Sequence, residues 1–254
     1  MIRVWGMTDI GLVRRENQDT YAVQASETGH TVCVVCDGMG GAQGGRLASE
    51  LAAKAFLSYC LEHLRRGMTA EEVRETAQTA VAKANDAVYQ RAQEEPGLQG
   101  MGTTLVSAVA WEEEDGEGTA LVSNVGDSRA YLIPGGSGIR RVTRDHSLVE
   151  RLVELGNITA EEARRHPDRN LITRALGPER EARSDSYLVP LALGDHILLC
   201  TDGLIETATD QEMEREVLSP GSVHTCLDRL LEIAKGRGAA DNLTAVLLLR
   251  QRQE

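Results

Sequence analysis

The sequence predicts an α+β protein, a four-layer α-β-β-α sandwich of two mainly antiparallel sheets flanked by helices. Three observations carry this expectation. Apolar stretches of strand length come in consecutive groups, at 2–7, 20–24 and 31–36, at 104–111, 119–125 and 129–133, then at 185–189, 196–201 and 243–249. Helical patterns fall between the groups, at about 46–65 and 70–92 and near 210–218 and 222–235. That order is not the strict alternation of a doubly wound parallel sheet, and strands that are neighbours in sequence suit antiparallel pairing. Two sheets with one apolar face each pack together, and amphipathic helices cover the outer faces.

Taken along the chain, the run at 31–36, "TVCVVC", is apolar at nearly every position, as a strand covered on both sides must be. Thr69 and Glu72 form a capping box that opens the second helix, which then sets Val73, Ala77, Ala80, Val81, Ala84 and Val88 on one face. Residues 144–176 break the pattern with two short charged helices, the second opened by Thr159 and Glu162, and little to bury. The segment at about 147–170 reads as a surface insertion. Polar stretches at 93–100 and 112–118 are too short to be linkers, so residues 1–254 read as a single domain.

Only 3% of residues are aromatic against 41% hydrophobic, so aliphatic side chains must build the core. The five cysteines, 33, 36, 60, 200 and 226, lie mostly in apolar runs. Cys33 and Cys36 would point to opposite faces of a strand, and no second pair completes a zinc site, so all read as buried small hydrophobes. Neither a secretory leader nor an apolar run of about 20 residues occurs. A cytoplasmic protein without a membrane partner is expected, and a monomer. The net charge of −12 makes nucleic acid a poor partner and disfavours a two-metal nuclease.

The chemistry collects at strand ends. The stretch "VVCDGMGGAQGG" delivers Asp37 from a strand into glycines, "ALVSNVGDSRAY" ends a strand at Asp127, "HILLCTDGL" ends one at Asp202, and "GAADNLTAVLLL" starts one at Asp241. A single such acid is commonly an Asx turn. Several brought together by a sheet raise one another's pKa sharply unless cations pair them, and in sequence only Arg129 lies near. Bound divalent metal answers this economically, and an all-oxygen set suits Mg²⁺ or Mn²⁺. The glycines after Asp37 and Asp202 then read as open room for metal, water and ligand. Two divalent ions carry one charge more than Asp37, Asp202 and Asp241 together, which leaves a centre able to acidify a water and attract a phosphate. Rival designs are missing: there is no G-x-S-x-G elbow, and "GGAQGGRL" at 40–47 has Arg46 and Leu47 where a P-loop needs Lys and Ser or Thr.

Eight motifs in order, "RRENQD" (14–19), "DGMGG" (37–41), "GMGTT" (100–104), "VGDSRAY" (125–131), "RDHS" (144–147), "LITRALG" (171–177), "CTDGL" (200–204) and "DNLT" (241–244), together resemble the metal-dependent protein phosphatases of the 2C type, in particular compact bacterial members. The resemblance implies the α-β-β-α sandwich with metals in a cleft at one edge, and hydrolysis of phosphoserine and phosphothreonine in proteins, the products of a Ser/Thr kinase. It implies that Asp37 bridges two Mn²⁺ or Mg²⁺ ions, that Asp202 and Asp241 complete the first, and that the Gly38 carbonyl binds the second. A third, weaker metal position would fall to Asp127 with Asp202, the phosphate to the guanidinium of Arg14, and support of the centre to Asp19 and Asn242. The segment 147–170 corresponds to the family's flap.

This sequence departs from the family pattern where many members carry a histidine near the metal loop: Met39 and Ala42 stand there, which leaves water to protonate the leaving group. Position 18 is Gln where many members have Glu. His146, the one histidine inside a matched motif, is expected to serve as a hydrogen-bonding support. Two alternatives stay open at this point: a catalytically silent metal-binding module of the same fold, and a phosphatase dedicated to one regulator protein.

Overall fold

The structure, a computed structural model, describes residues 1–113 and 116–252, without the side chains of residues 42 and 43. In chain order the elements are β1 (Ile2–Asp9), β2 (Asp19–Ala25), β3 (Thr31–Met39), α1 (Gly41–His63), α2 (Ala70–Glu94), β4 (Gly102–Thr103), β5 (Leu105–Glu112), β6 (Gly118–Val125), β7 (Arg129–Ile133) and β8 (Arg140–Arg141). They continue as α3 (Leu148–Glu154), α4 (Ala160–Arg164), β9 (Asp185–Leu191), β10 (His196–Cys200), α5 (Asp202–Thr207), α6 (Asp210–Leu218), α7 (Val223–Gly236) and β11 (Leu243–Arg250).

One sheet runs β1-β11-β10-β7-β8 and the other β2-β3-β5-β6-β9, with β4 paired to β3. Every described strand pair is antiparallel. Side-chain alternation builds the layers. On β3, Cys33 and Val35 join Val106 of neighbouring β5 in facing the other sheet, where they meet Leu199 and Val246. Val32, Val34 and Cys36 face the opposite way, onto Phe56 of α1 and the alanine-rich face of α2. On the far side, Leu198, Cys200 and Leu247 pack under Leu227, Leu230 and Ala234 of α7. The expected four layers follow, and the cysteines are free and buried. Among the described residues, no helix is long and apolar enough to cross a membrane.

The structure differs from the sequence reading at the glycines. Rather than opening a bare loop as far as residue 45, the chain enters α1 at Gly41 and runs Gly44 and Gly45 inside the helix. Glycine is a poor helix former, but here contact overrides propensity. A Cβ on Gly38 would stand 2.0 Å from the Gly45 carbonyl oxygen, and one on Gly45 only 2.6 Å from Gln18 Oε1. The glycines let the first turn of α1 lie against the end of β3 and the segment before β2. Likewise a Cβ on Gly203 would stand 2.1 Å from the Asn242 carbonyl oxygen, which locks α5 against the start of β11.

The segment after Leu176 is tied to α2 by one buried side chain. Asn85, 2% exposed, accepts from the Gly177 amide at 2.8 Å and donates to the carbonyls of Glu179 at 3.1 Å and Arg180 at 3.0 Å. Replacing it by alanine strands three backbone groups. Asn85→Ala is therefore expected to lower the unfolding free energy by about 2–4 kcal/mol, read as a shifted urea midpoint. A change under about 0.5 kcal/mol would show that water satisfies those groups instead.

Candidate metal centre

Asp37, Asp127, Asp202 and Asp241 all line one cleft of about 850 Å³, together with Arg14, Gly38, Met39, Thr104 and Asn242. Strand pairing explains the convergence. Asp19, the first residue of β2, stands opposite Asp37 in the β2–β3 register. Asp202 follows β10 and Asp241 precedes β11, its antiparallel neighbour, so both fall at the same end of that sheet. Asp127 lies in the turn between β6 and β7.

Asp37 and Asp19 are fixed by short neutral partners. The Asp37 amide donates to Thr104 Oγ1 at 2.9 Å, while its carbonyl accepts from Thr103 Oγ1 at 2.8 Å. Buried Asp19 accepts from Thr201 Oγ1 at 2.9 Å. Asn242 acts as a clamp: its Oδ1 accepts from the Gln18 amide at 2.9 Å, and its Nδ2 donates to the carbonyls of Ile10 at 2.9 Å and Glu16 at 3.0 Å. Sequence reasoning quoted Thr103, Thr104 and Thr201 inside motifs but gave them no role. The signal was there for Thr201, a hydroxyl residue next to an acid at a strand end, and not for Thr103 and Thr104, which have no acid beside them in sequence.

His146 was expected to support structure, and its partners bear this out. The Gly126 amide donates to its Nδ1 at 3.1 Å, so Nε2 carries the proton and donates to Asp185 Oδ2 at 3.1 Å. Backbone bonds from His146 to the Gly126 carbonyl and from Thr173 to the His146 carbonyl complete the brace. The turn that carries Asp127 is thereby tied to the chain leaving the 147–170 segment.

The cations are arranged otherwise than the sequence suggested. Arg129 spends its fork on Asp145, at 2.6 Å and 2.9 Å, because Asp145 is the buried acid that must be paired. Arg14 instead approaches the acids, donating to Asp241 Oδ2 at 2.7 Å. The remaining carboxylates keep a heavy charge. Desolvation, followed by the field of Asp202, pushes Asp127 up to about 7. Burial likewise takes Asp19 up to about 7 and Asp202 up to about 6. Asp37 stands well above the ordinary carboxylate range, again through burial first, with Asp19, Asp202, Asp127 and Asp241 all adding.

A hard divalent cation fits this set. The Asp202 and Asp37 side chains come within hydrogen-bonding reach of each other. Asp202 Oδ1 is buried without any hydrogen-bond partner, an atom that costs free energy unless something positive meets it. All donors are oxygen, and neither Cys nor His lines the cleft among the described residues. No three acidic, His or Cys side chains among those residues already stand as a finished ligand cage. The acids do, however, line the same cleft.

Comparison with known proteins agrees with this geometry. The model of the protein phosphatase 2C family matches residues 14–248, and the chain belongs to that family. It is a metal-dependent serine/threonine protein phosphatase. The serine/threonine phosphatase stp of Listeria innocua is 36% identical over 243 residues, 96% of this chain and 94% of the relative. The crystal structure of the serine/threonine phosphatase Stp1 from Staphylococcus aureus superposes with a TM-score of 0.90 at 32% identity, over 99% of this chain and 96% of that one. That of the catalytic domain of serine threonine protein phosphatase PstP in complex with two manganese ions gives 0.83 at 30% identity, over 99% of each chain.

The charge crowding makes a prediction about the metal-free protein. Asp37→Asn removes one of the repelling carboxylates at little steric cost. It is expected to raise the thermal midpoint measured in chelator by about 2–4 °C, while Mn²⁺ stabilises the variant less than the native protein. An Mn²⁺ shift of native size in the variant would remove Asp37 from the metal centre.

Proposed function

We propose that Asp37, Asp202, Asp241 and the Gly38 carbonyl hold two divalent cations, Mn²⁺ or Mg²⁺, and that Asp127 and Asp202 provide a third, weaker position. The observation that carries this is the orphaned carboxylate oxygen of Asp202, placed among half-buried acids in one cleft. The two manganese ions named for the PstP structure support the number. Bound there, the cations would offset the carboxylate charge and acidify a water for in-line attack at phosphorus.

Arg14 grips the substrate. Its side chain is 54% exposed and needs only to leave Asp241 to present a planar fork to two phosphate oxygens. Asp19 and Asn242 are positioning residues. Asp19, held by Thr201, adds negative charge opposite Asp37, and Asn242, next to Asp241, keeps Arg14 nearby by clamping the segment that carries it at Ile10, Glu16 and Gln18. With Met39 in the cleft wall and no His among its described lining residues, the leaving seryl or threonyl oxygen takes its proton from water in the open cleft. Residues 1–254 then act as one catalytic domain, with 147–170 as a surface segment beside the cleft, where Asn170 and Ile172 contribute to the lining. Its substrates are phosphoproteins made by a Ser/Thr kinase.

The test is phosphate release from a phosphothreonine peptide after exhaustive chelation, with Mn²⁺ titrated back. Turnover should appear only with metal. Asp241→Asn is expected to lower kcat by at least about a thousandfold, and Arg14→Ala to raise KM by about 10- to 100-fold with a smaller effect on kcat. A full-rate Asp241→Asn enzyme would sink this assignment, as would turnover undiminished by chelation.

A further inference from the structure

The rim of the cleft carries apolar side chains that the fold leaves in solvent. Ile10, Leu12 and Val13 come directly before Arg14, with Leu12 61% and Val13 67% exposed. Leu171, 49% exposed, sits between Asn170 and Ile172, both of which line the cleft. Single exposed aliphatic residues need no explanation, but a grouping at the mouth of a substrate cleft does.

Neither segment is loose. The carbonyl of Ile10 is held by Asn242 Nδ2, and the Leu12 amide donates to the Ala239 carbonyl at 2.9 Å. Between them Gly11, at φ +76°, passes so close to the chain before β11 that a Cβ would stand 2.2 Å from the Asp241 carbonyl oxygen. The backbone is thus pinned to the residues that carry Asp241, and Leu12 and Val13 are presented outward from a fixed base. On the second segment, the Leu171 amide donates to Asp168 and its carbonyl accepts from Leu148, at 3.0 Å and 2.9 Å. A pre-ordered apolar surface loses little entropy when it is covered.

We infer that Leu12, Val13 and Leu171 form an apolar rim that receives the apolar side chains flanking the phosphorylated residue of a protein substrate. The inference rests on the substrate phosphate entering this cleft as proposed above. Continuity places the rim there: Val13 adjoins Arg14, proposed above to grip the phosphate, and Leu171 stands between two residues that line the cleft, so both segments border the space a phosphoresidue would enter. Charge defines the rival: a chain of net charge −12 attracts basic flanks in general, so an Arg-flanked peptide separates attraction by the field from contact with the rim.

The experiment compares three phosphothreonine peptides in Mn²⁺, alike except that the residues flanking the phosphothreonine are Leu and Val, Ser, or Arg. The native enzyme is expected to prefer the Leu/Val peptide over the Ser peptide by about tenfold in kcat/KM, mostly through KM. In Leu12→Ser/Val13→Ser, and separately in Leu171→Ser, that ratio should move toward one. Because it is a ratio within each protein, a general loss of activity does not imitate the effect. Equal rates on all three peptides, a preference for the Arg peptide, or a ratio unchanged in both variants would overturn the inference. So would a dimer in solution that Leu12→Ser/Val13→Ser dissociates, since a second copy would then occupy the rim. Native enzyme that also fails to hydrolyse p-nitrophenyl phosphate with Mn²⁺ would instead remove the phosphatase mechanism beneath it.

Discussion

The mutual repulsion of the carboxylates at one end of the sandwich is the constraint on which the other features depend. Asp19 and Asp37 are directly opposite in the β2–β3 register, and Asp202 reaches Asp37 from the other sheet. Burial and like charge both act against ionisation there, which is why Asp19 and Asp127 are pushed up to about 7. A chain selected only for stability would spread these acids or neutralise them with lysine or arginine. This one holds them together, and cations bound there as proposed would stabilise the folded form.

Holding acids in place without neutralising them requires neutral donors, and the fold supplies these from residues with little freedom to move. Threonine hydroxyls hold Asp19 and the backbone of Asp37, and Asn242 clamps the segment that carries Arg14. Rigidity at this end comes from backbone approach, with Gly38 against Gly45 and Gly203 against Asn242. The strong cation nearest Asp127 in sequence is diverted, since Arg129 is consumed by buried Asp145. The cleft therefore keeps its charge for metal.

Much of this was legible because it follows from period and order. Strand and helix periodicity located the long elements, and capping boxes at Thr69 and Thr159 formed as read. The acids were legible because each stands at the end of an apolar run. What escaped was set by tertiary contact. The two-residue strands β4 and β8 have no pattern to detect, and α5 begins on the very acid that was read as the end of a strand. The glycines after Asp37 looked like open space, since sequence cannot show that another backbone lies against them. Pairings failed for the same reason: Arg129 is two residues from Asp127 but its fork closes on Asp145, while Arg14 reaches Asp241 from the far end of the chain.

That last contact bears on how an acidic protein can hold a phosphate at all. Arg14 is the cation nearest the acids, and in this arrangement it answers their charge by pairing with Asp241. The pair is weak, because both side chains are partly in water, 54% and 31% exposed, and such pairs are worth roughly 0–1 kcal/mol. A divalent cation competing for Asp241 meets little resistance from it. A guanidinium released in that way would remain tethered beside the cleft by the Asn242 clamp, with its fork free for phosphate oxygens. If Arg14 grips the phosphate as proposed, the acidic charge that opposes an anion would also hold this side chain beside the cleft, and capacity for metal and grip on phosphate would be coupled through one side-chain exchange.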